Sequence, residues 1–267
     1  MKRRFSSRAA LLGALACLIF SLALAGFASA APTAADQYVA LGDSYSSGVG
    51  TGSYTLSASC RRGVYAYPWL VSQQRPNTAL TFVACSGATT NDLMASQIQS
   101  VTADTDIVTV TIGGNDIGFA NLIYQCTLAD CSAALDNTRN TLPTLLPPRL
   151  DTVYAGIEAR APGAAVVVLG YPRMFSSVGC FGTFGISSTE RAKANQLADA
   201  LDQVIGARAT SFGFTYKSAI APFTGHAVCS LSPWLNGLNL FNTTESYHPN
   251  RNGNSLGYAP LVRSVVG

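Results

Sequence analysis

The sequence of 267 residues contains few charged side chains and almost no histidine. Asp, Glu, Lys and Arg make up 12% of the chain, and only His226 and His248 occur. Beyond the N-terminal region no basic run exceeds the pair Arg61-Arg62, which argues against a nucleic-acid partner. No Cys-x-x-Cys occurs and the two histidines are not at ligand spacing, which argues against a zinc site.

The N-terminal region has the layout of a secretory signal. Four basic residues stand within the first eight positions and precede an uncharged run, 9–28, that ends in Ala28-Ser29-Ala30. An uncleaved membrane anchor is the alternative, because the run is long enough to span a bilayer. We expect cleavage after Ala30, since the small-residue site follows directly and Pro32 ends a helix. The pair Arg3-Arg4 leaves both the general and the twin-arginine export routes open.

Removal of residues 1–30 changes the charge of the chain. The full chain has a formal net charge of +3, but four of its 17 basic residues lie in the signal, so 13 remain against 14 acidic residues. The mature net charge is then −1, which leaves no basic surface for a polyanion. After the signal no linker rich in Pro, Gly and Ser, no charge block and no repeat interrupts the sequence. Residues 31–267 are therefore predicted to form a single secreted domain.

Cysteine usage agrees with export. Cys17 lies in the signal, and an even number remains: Cys60, Cys85, Cys126, Cys131, Cys180 and Cys229. An even count in a secreted chain predicts three disulfides, for which sequence alone allows fifteen pairings. Sequential pairing, which joins each of these cysteines to its neighbour in the order given, is the hypothesis adopted here.

Short apolar runs alternate with longer helix-like segments, which is typical of an α/β fold with a parallel sheet. The predicted strands are 38–41, 80–84, 107–112, 165–169 and 214–216. The predicted helices are 67–74, 92–100, 150–161, 188–206 and 252–265. Ser187 and Glu190 have the spacing of a capping box before the fourth helix. Two long segments, 118–148 and 222–247, are predicted to be ordered loops near a functional site.

Polar residues follow three of the predicted strands. Gly42-Asp43-Ser44 follows the first strand, Cys85-Ser86-Gly87 the second and Gly113-Gly114-Asn115-Asp116 the third. Ligands of open α/β sheets bind outside the carboxyl ends of the strands, so these loops are expected to meet. The late segment Ser246-Tyr247-His248-Pro249 joins them if its loop returns to the same edge. Together they supply a hydroxyl nucleophile, an imidazole base and NH donors for an oxyanion.

These four blocks, in this order, resemble the GDSL family of the SGNH-hydrolase superfamily. More narrowly, the six cysteines and the sequence around Ser44 resemble those of secreted actinomycete lipases and phospholipases. The resemblance implies a flavodoxin-like three-layer α/β/α fold with a five-stranded parallel sheet. It implies Ser44 as nucleophile and His248 as base. It also implies an oxyanion hole formed by the Ser44 NH, the Gly87 NH and the Asn115 side chain, without metal or cofactor.

The chain departs from the family pattern three residues before the histidine, where Glu245 replaces the usual Asp. Glu245 is one candidate for orienting His248. The backbone carbonyl of Ser246 is the other, as in related actinomycete enzymes. Both remain open at the level of sequence.

Several residues have a simpler interpretation. Ser44 also suits a helix N-cap, and Asp43 beside it suits a structural hydrogen bond within the turn. Ser255 fits a G-x-S-x-G motif, but no strand precedes it and no histidine follows, so we place it in the last helix. The glycines at 48, 50 and 52 lack the spacing and the Lys of a phosphate loop. His226, near Cys229, is interpreted as structural.

The sequence therefore predicts a secreted, monomeric serine carboxylic-ester hydrolase that acts on acyl esters, with lipids as the preferred class and transient contact with lipid surfaces. A deacetylase of carbohydrate or other small esters is the enzymatic alternative, and a non-catalytic lipid-binding module is the other. Ten apolar residues are candidates for an acyl groove, although core packing is the better explanation for most of them. They are Trp69, Phe119, Leu122, Ile123, Phe181, Phe184, Trp234, Leu238, Leu240 and Phe241.

Overall fold

A parallel sheet of five strands forms the centre of the computed structural model, which describes residues 35–267. The strands are β1 (Asp36–Gly42), β2 (Thr78–Phe82), β3 (Ile107–Thr111), β4 (Ala165–Leu169) and β5 (Thr215–Lys217). Their order in the sheet is β2-β1-β3-β4-β5. This is the flavodoxin-like order, so the predicted fold class and all five predicted strands are confirmed.

The central strands are buried because their apolar runs are continuous. Every residue of β3 is buried, and Val108 pairs with Val39 of β1 on one side and Val166 of β4 on the other. The edge strand β2 instead alternates between exposed and partly buried residues. Helices cover both faces of the sheet, as the unbroken apolar strands require.

Besides three isolated 3-10 turns (Asn115–Ile117, Phe181–Thr183 and Thr243–Glu245), nine helices connect and flank the strands within residues 35–267. They are α1 (Ser44–Ser47), α2 (Tyr67–Gln73), α3 (Thr90–Asp92, continued by a π-helical turn Leu93–Gln97 and a 3-10 turn Ile98–Ser100), α4 (Phe119–Cys126), α5 (Ser132–Leu145), α6 (Pro147–Arg160), α7 (Ser188–Ser211), α8 (Ile220–Phe223) and α9 (a π-helical turn Gly253–Tyr258 that runs into Ala259–Val266). All five predicted helices are present. The capping box of α7 is also confirmed, because Ser187 Oγ accepts from the Glu190 NH at 3.2 Å and Glu190 Oε2 accepts from the Ser187 NH at 2.8 Å.

The prediction of a loop over 118–148 is wrong, because this segment holds α4 and α5. Helix α5 is mostly polar and buries only Leu135 and Leu142, which lie seven residues apart on one face. It packs along α7, and this tertiary contact stabilises a helix that its weak apolar pattern does not reveal. The second long segment, 222–247, is irregular as predicted, apart from a short 3-10 turn, Thr243–Glu245.

The six cysteines of the described region form three disulfides with sequential pairing. The Cα atoms are 4.3 Å apart for Cys60–Cys85, 5.0 Å for Cys126–Cys131 and 5.6 Å for Cys180–Cys229. The second bond joins the end of α4 to the start of α5, and the first links the segment before α2 to the loop after β2. The third bond closes the longest loop, with a sequence separation of 49, and links the segment after β4 to the segment before the last helix.

The predicted signal peptide, 1–30, lies outside the described residues. From Ala35 to Gly267, no helix has both the length and the apolar character needed to span a bilayer.

Candidate active site

Ser44 is the first residue of α1 and follows directly on the turn that ends β1. Gly42 ends the strand with a φ of 128°, a conformation that glycine favours, and a Cβ there would collide with the Thr111 carbonyl oxygen. Asp43 is the N-cap of α1, and its carboxylate accepts a hydrogen bond from the Tyr45 NH at 2.9 Å. The predicted capping role at this turn therefore belongs to Asp43, which leaves the Ser44 hydroxyl free for another contact.

The buried side chain of Gln97 clamps the same turn. Its amide oxygen accepts from the Gly42 NH at 2.8 Å, and its amide nitrogen donates to the Gly42 carbonyl at 2.9 Å. Gln97 ends the π-helical turn of α3, a local widening that is frequent near functional sites. This residue was not among the sequence-based candidates, because a lone glutamine in a helix gives no signal of a partner 55 residues earlier.

The Ser44 hydroxyl contacts the imidazole of His248. The distance from Ser44 Oγ to His248 Nε2 is 2.8 Å, and both side chains are buried. The other ring nitrogen, Nδ1, lies 2.9 Å from the Ser246 carbonyl oxygen. Because a carbonyl only accepts hydrogen bonds, Nδ1 carries the proton of the neutral ring, and Nε2 accepts from the serine.

Burial favours the neutral imidazole. Loss of solvent lowers the pKa of His248 from its usual 6.5 to about 4, although the Ser246 carbonyl raises it and the charge of Arg61 adds to the lowering. His248 is therefore neutral at pH 7 and has a lone pair on the nitrogen that faces Ser44. The neutral state of His248 is thus the one that its contact with the Ser44 hydroxyl requires.

The segment before His248 is held by two tyrosines. Glu245 is buried, and its carboxylate accepts from the Tyr54 hydroxyl at 2.6 Å rather than pointing to the imidazole. Tyr247 has a φ of 61°, which is uncommon for a residue with a side chain, and its carbonyl accepts from the Tyr45 hydroxyl at 2.9 Å. This left-handed residue turns the chain so that the Ser246 carbonyl faces the His248 ring.

Gly87 and Asn115 lie at the same edge of the sheet as Ser44. Gly87 has a φ of 84°, and a Cβ there would meet nothing within 4 Å, so the space beside it is open. One NH of the Asn115 amide donates to the Ala88 carbonyl at 3.0 Å, which leaves the second NH for a ligand. Asp116 joins the two loops, because its carboxylate accepts from the NH and the hydroxyl of Thr90 at 3.0 and 2.6 Å.

Tyr171, which follows β4, connects the loops after β1 and β3. Its hydroxyl donates to the Asp43 carboxylate and accepts from the Gly114 NH at 3.1 Å. Burial raises the pKa of Asp43 to about 7, and the bonds from Tyr171 and the Tyr45 NH oppose this rise. One hydroxyl thus fixes the residues that precede both Ser44 and Asn115. The sequence-based candidates did not include Tyr171.

A cavity of about 300 Å³ brings the predicted site residues together. Its lining comprises Ser44, Ser86, Gly87, Asn115, Ala120, Asn121, Tyr124, Thr243, Thr244, Ser246, Tyr247 and His248. Residues from four of the segments that follow strands meet here, in agreement with the expectation that ligands bind at the carboxyl ends of the strands. The volume suits a small organic ligand or part of a longer one.

Other singled-out residues lie outside this lining. Ser255 is in the first turn of α9, as predicted, and His226 stacks on Trp234 with ring centroids 3.7 Å apart. The candidates for an acyl groove divide into three groups by burial. Phe119, Leu122 and Ile123 belong to the core, whereas Phe181, Phe184, Leu240 and Phe241 are exposed. The remaining three, Trp69, Trp234 and Leu238, are half-buried.

The described residues offer no free donor set for a metal ion. Between Ala35 and Gly267 the grouped potential ligands are Cys126, Cys131 and Glu190. The two thiols are joined in a disulfide, and the carboxylate accepts from the backbone amides of Cys131 and Ser187, both at 2.8 Å. This cluster is structural.

The chain is similar to Streptomyces lipases over nearly all of its length. The model of the GDSL-like Lipase/Acylhydrolase family matches residues 40–256. A lipase of Streptomyces rimosus is 46% identical over 271 residues, which cover 98% of this chain and 100% of the relative. Lipase 1 of Streptomyces coelicolor is 42% identical over 267 residues, which cover 96% of this chain and 98% of the relative.

Solved structures agree with the sequence comparison. The crystal structure of the extracellular lipase from Streptomyces rimosus has a TM-score of 0.82 and 45% identity, with coverage of 86% of this chain and 100% of that one. That of phospholipase A1 from Streptomyces albidoflavus NA297 has a TM-score of 0.83 and 44% identity, with coverage of 87% and 100%. The ordered blocks, the flavodoxin-like sheet and these matches lead to one conclusion: the chain belongs to the GDSL-like lipase/acylhydrolase family.

Proposed function

We propose that this protein is a secreted serine carboxylic-ester hydrolase that cleaves acyl esters through an acyl-enzyme on Ser44. The observation that carries the proposal is the 2.8 Å contact between Ser44 Oγ and the unprotonated Nε2 of a neutral, buried His248. A hydroxyl is a weak nucleophile at its own pKa, so a base in hydrogen-bond contact is the feature that activates it.

In the first half of the reaction His248 Nε2 removes the proton of Ser44 as Oγ attacks the ester carbonyl. The resulting imidazolium is stabilised by the Ser246 carbonyl, which keeps its hydrogen bond to Nδ1. His248 then gives the proton to the departing alcohol oxygen. The products of this half are the free alcohol and an ester of Ser44.

The negative charge that develops on the carbonyl oxygen needs donors on one side of the cavity. The Ser44 NH is the first amide of α1, and such amides have no partner within the helix. The Gly87 NH and the free NH of the Asn115 side chain complete the proposed oxyanion hole. Fixed donors of this kind stabilise the tetrahedral intermediate more than the planar ester, which lowers the barrier.

In the second half of the reaction water is the nucleophile and Ser44 Oγ is the leaving group. His248 takes a proton from water, the hydroxide attacks the acyl-Ser44 carbonyl, and the proton returns to Ser44 Oγ as the acid leaves. The Ser246 carbonyl orients the imidazole in both halves. Glu245 has a different role, because its carboxylate is engaged by Tyr54.

Acyl lipids are the substrate class that we infer. The relatives are named lipases, and a structural relative is named phospholipase A1. Exposed apolar residues close to the His248 loop, Leu240 and Phe241, support brief contact with a lipid surface. A small-ester deacetylase is expected to prefer acetyl esters, whereas a lipase is expected to prefer longer acyl chains. Hydrolysis rates for p-nitrophenyl esters of increasing chain length therefore separate these two functions.

We further propose that the protein is exported and monomeric. The basic and apolar N-terminal residues with Ala28-Ser29-Ala30, together with three disulfides in the mature region, support secretion after cleavage at Ala30. N-terminal sequencing of the protein from culture medium tests the boundary: Ala31 is the expected first residue.

Labelling with a fluorophosphonate probe tests the proposed nucleophile. The wild-type protein is expected to carry one label, on Ser44, and Ser44→Ala is expected to lose both the label and p-nitrophenyl ester turnover while its circular dichroism is unchanged. Ser255→Ala is the matched control, since it removes the serine of the other motif and retains both. Ester turnover by Ser44→Ala sinks the assignment of Ser44 as nucleophile. A wild-type protein with neither label nor turnover sinks the proposal and favours a non-catalytic lipid-binding module.

A further inference from the structure

A second cavity lies on the other side of the turn that leads to His248. It has a volume of about 680 Å³, more than twice that of the cavity at Ser44. Thr243 and Thr244 line the cavity at Ser44, whereas the next residue, Glu245, lines the second one. A single 3-10 turn, Thr243–Glu245, is therefore a shared wall between them. We call the second cavity the outer groove.

The outer groove is nearly free of charge, and four of its eleven lining residues carry apolar side chains. Its lining comprises Gly50, Thr51, Gly52, Phe181, Asn236, Gly237, Leu238, Asn239, Leu240, Phe241 and Glu245. The two segments that supply most of it, 174–189 and 218–244, contain no Lys, Arg, Asp or Glu. The one ionisable side chain in the lining, Glu245, is buried and bonded to Tyr54. The lining suits a neutral ligand with an apolar part and offers no cationic partner to a phosphate or a carboxylate.

Three of the four apolar side chains of the outer groove lack cover from the rest of residues 35–267. Phe181 is 67% exposed, Leu240 is 65% exposed and Phe241 is fully exposed. Exposed apolar side chains around a concave surface are typical of a ligand site. Covering them with the alkyl chain of a ligand removes this apolar area from water, which favours binding.

Backbone contacts make the groove a formed feature of the fold. The disulfide Cys180–Cys229 joins its two segments, and the Leu238 NH donates to the Gly182 carbonyl at 2.9 Å. Gly237 and Gly182 are in such close contact that a Cβ on Gly237 would collide with the Gly182 backbone. The walls are therefore in place before a ligand arrives, which reduces the entropic cost of binding.

The outer groove is also continuous with the His248 loop. The Asn236 NH donates to the His248 carbonyl at 2.9 Å, and the Tyr247 NH donates to the Asn236 carbonyl at 3.0 Å. The Asn236 side chain donates to the carbonyls of Gly50 and Glu245 at 2.9 and 3.3 Å. The floor of the groove and the base of the proposed reaction thus belong to one hydrogen-bonded unit.

We propose that the outer groove binds the second acyl chain of a two-chain lipid ester while the ester of the first chain lies at Ser44. This inference rests on the proposed function and narrows its substrate class to esters in which two chains diverge from neighbouring carbons. The Thr243–Glu245 turn lies between the chains. The groove contributes binding of substrate and takes no part in the bond-making steps.

The test compares ethylene glycol dihexanoate with ethylene glycol monohexanoate, both below their solubility limits so that no lipid surface is present. The wild-type protein is expected to hydrolyse the diester with the higher kcat/KM. Leu240→Ser and Phe241→Ser are expected to lower the ratio of the two kcat/KM values by about tenfold, mainly through KM, because buried apolar area is lost. Their kcat/KM on the monoester is expected to stay within about twofold.

Phe184→Ser is the matched control, since Phe184 is 65% exposed in the same uncharged segment but does not line the groove. An unchanged ratio in Leu240→Ser and Phe241→Ser overturns the proposal. An equal fall in Phe184→Ser overturns it, because the effect then does not depend on the groove. A loss confined to phosphatidylcholine vesicles overturns it in favour of contact between this face and a lipid surface. Absence of monoester hydrolysis by the wild-type protein indicates instead that the proposed function itself is wrong.

Discussion

Replacement of Glu245 by glutamine separates the two ways of orienting His248. A carboxylate that orients a catalytic histidine is worth about 10⁴ in turnover when it is converted to the amide. In this structure the Ser246 carbonyl lies 2.9 Å from Nδ1, and the Glu245 carboxylate binds the Tyr54 hydroxyl at 2.6 Å. We therefore expect Glu245→Gln to retain kcat within about threefold, since the His248 tautomer and its contact with Ser44 do not depend on the carboxylate.

The magnitude of the stability change follows from the same contact. Glutamine keeps an oxygen that accepts from Tyr54, so the loss is the difference between a charged and a neutral hydrogen bond, about 1 kcal/mol in the free energy of unfolding. Partial solvent exposure of Tyr54 makes this an upper value. The turn Thr243–Glu245 is expected to keep its conformation.

Steady-state hydrolysis of a p-nitrophenyl ester and urea unfolding measure the two effects. Tyr54→Phe is the matched control, because it breaks the same hydrogen bond from the other side and leaves the carboxylate in place. If Glu245→Gln lost 10³ or more in kcat with an unchanged urea midpoint while Tyr54→Phe stayed active, the assignment of the Ser246 carbonyl would be refuted.

Two further predictions concern protonation and the turn after β1. Because only the neutral imidazole accepts the Ser44 proton and burial lowers its pKa to about 4, kcat/KM is expected to rise with pH and reach half its plateau near pH 4; a midpoint near 6.5, measured where circular dichroism is constant, contradicts this. Gln97→Ala leaves the buried Gly42 NH without an acceptor, which is expected to lower the free energy of unfolding by about 1–3 kcal/mol and to reduce kcat. Gln97→Glu keeps the acceptor but places a buried carboxylate oxygen against the Gly42 carbonyl to which Gln97 Nε2 donated, so at neutral pH it is expected to lose at least as much of both, as urea unfolding and steady-state kinetics will check.

The sheet was predictable because its signal is local. Apolar runs such as 166–169 are strand-length, β-branched and uninterrupted, and they imply a strand buried on both faces whatever surrounds it. The loops at the strand ends could be placed together because the carboxyl ends of parallel strands lie at the same edge of the sheet. Helix α5 was missed because only two of its fourteen residues, both leucines, are buried, which gives too weak a period, and its neighbour α7 is more than forty residues away.

The supporting contacts of the site could not be predicted for a different reason. Tyr54 and Glu245 are separated by 191 residues, and the Gln97 amide binds backbone rather than a complementary side chain. Neither contact leaves a pattern in a single sequence. The choice between Glu245 and the Ser246 carbonyl likewise depended on the left-handed conformation of Tyr247, a residue type that rarely adopts it.

The Tyr171 hydroxyl, shared by Asp43 and the Gly114 NH, has a consequence for engineering of this protein. Because the loops after β1 and β3 share this hydroxyl, a substitution in one loop changes the contact made by the other, and the two cannot be optimised separately. Substitutions at positions 43 and 114 are each within reach of this group, so their free-energy effects will not sum. Libraries that randomise the two loops jointly with residue 171 therefore sample combinations that stepwise selection discards.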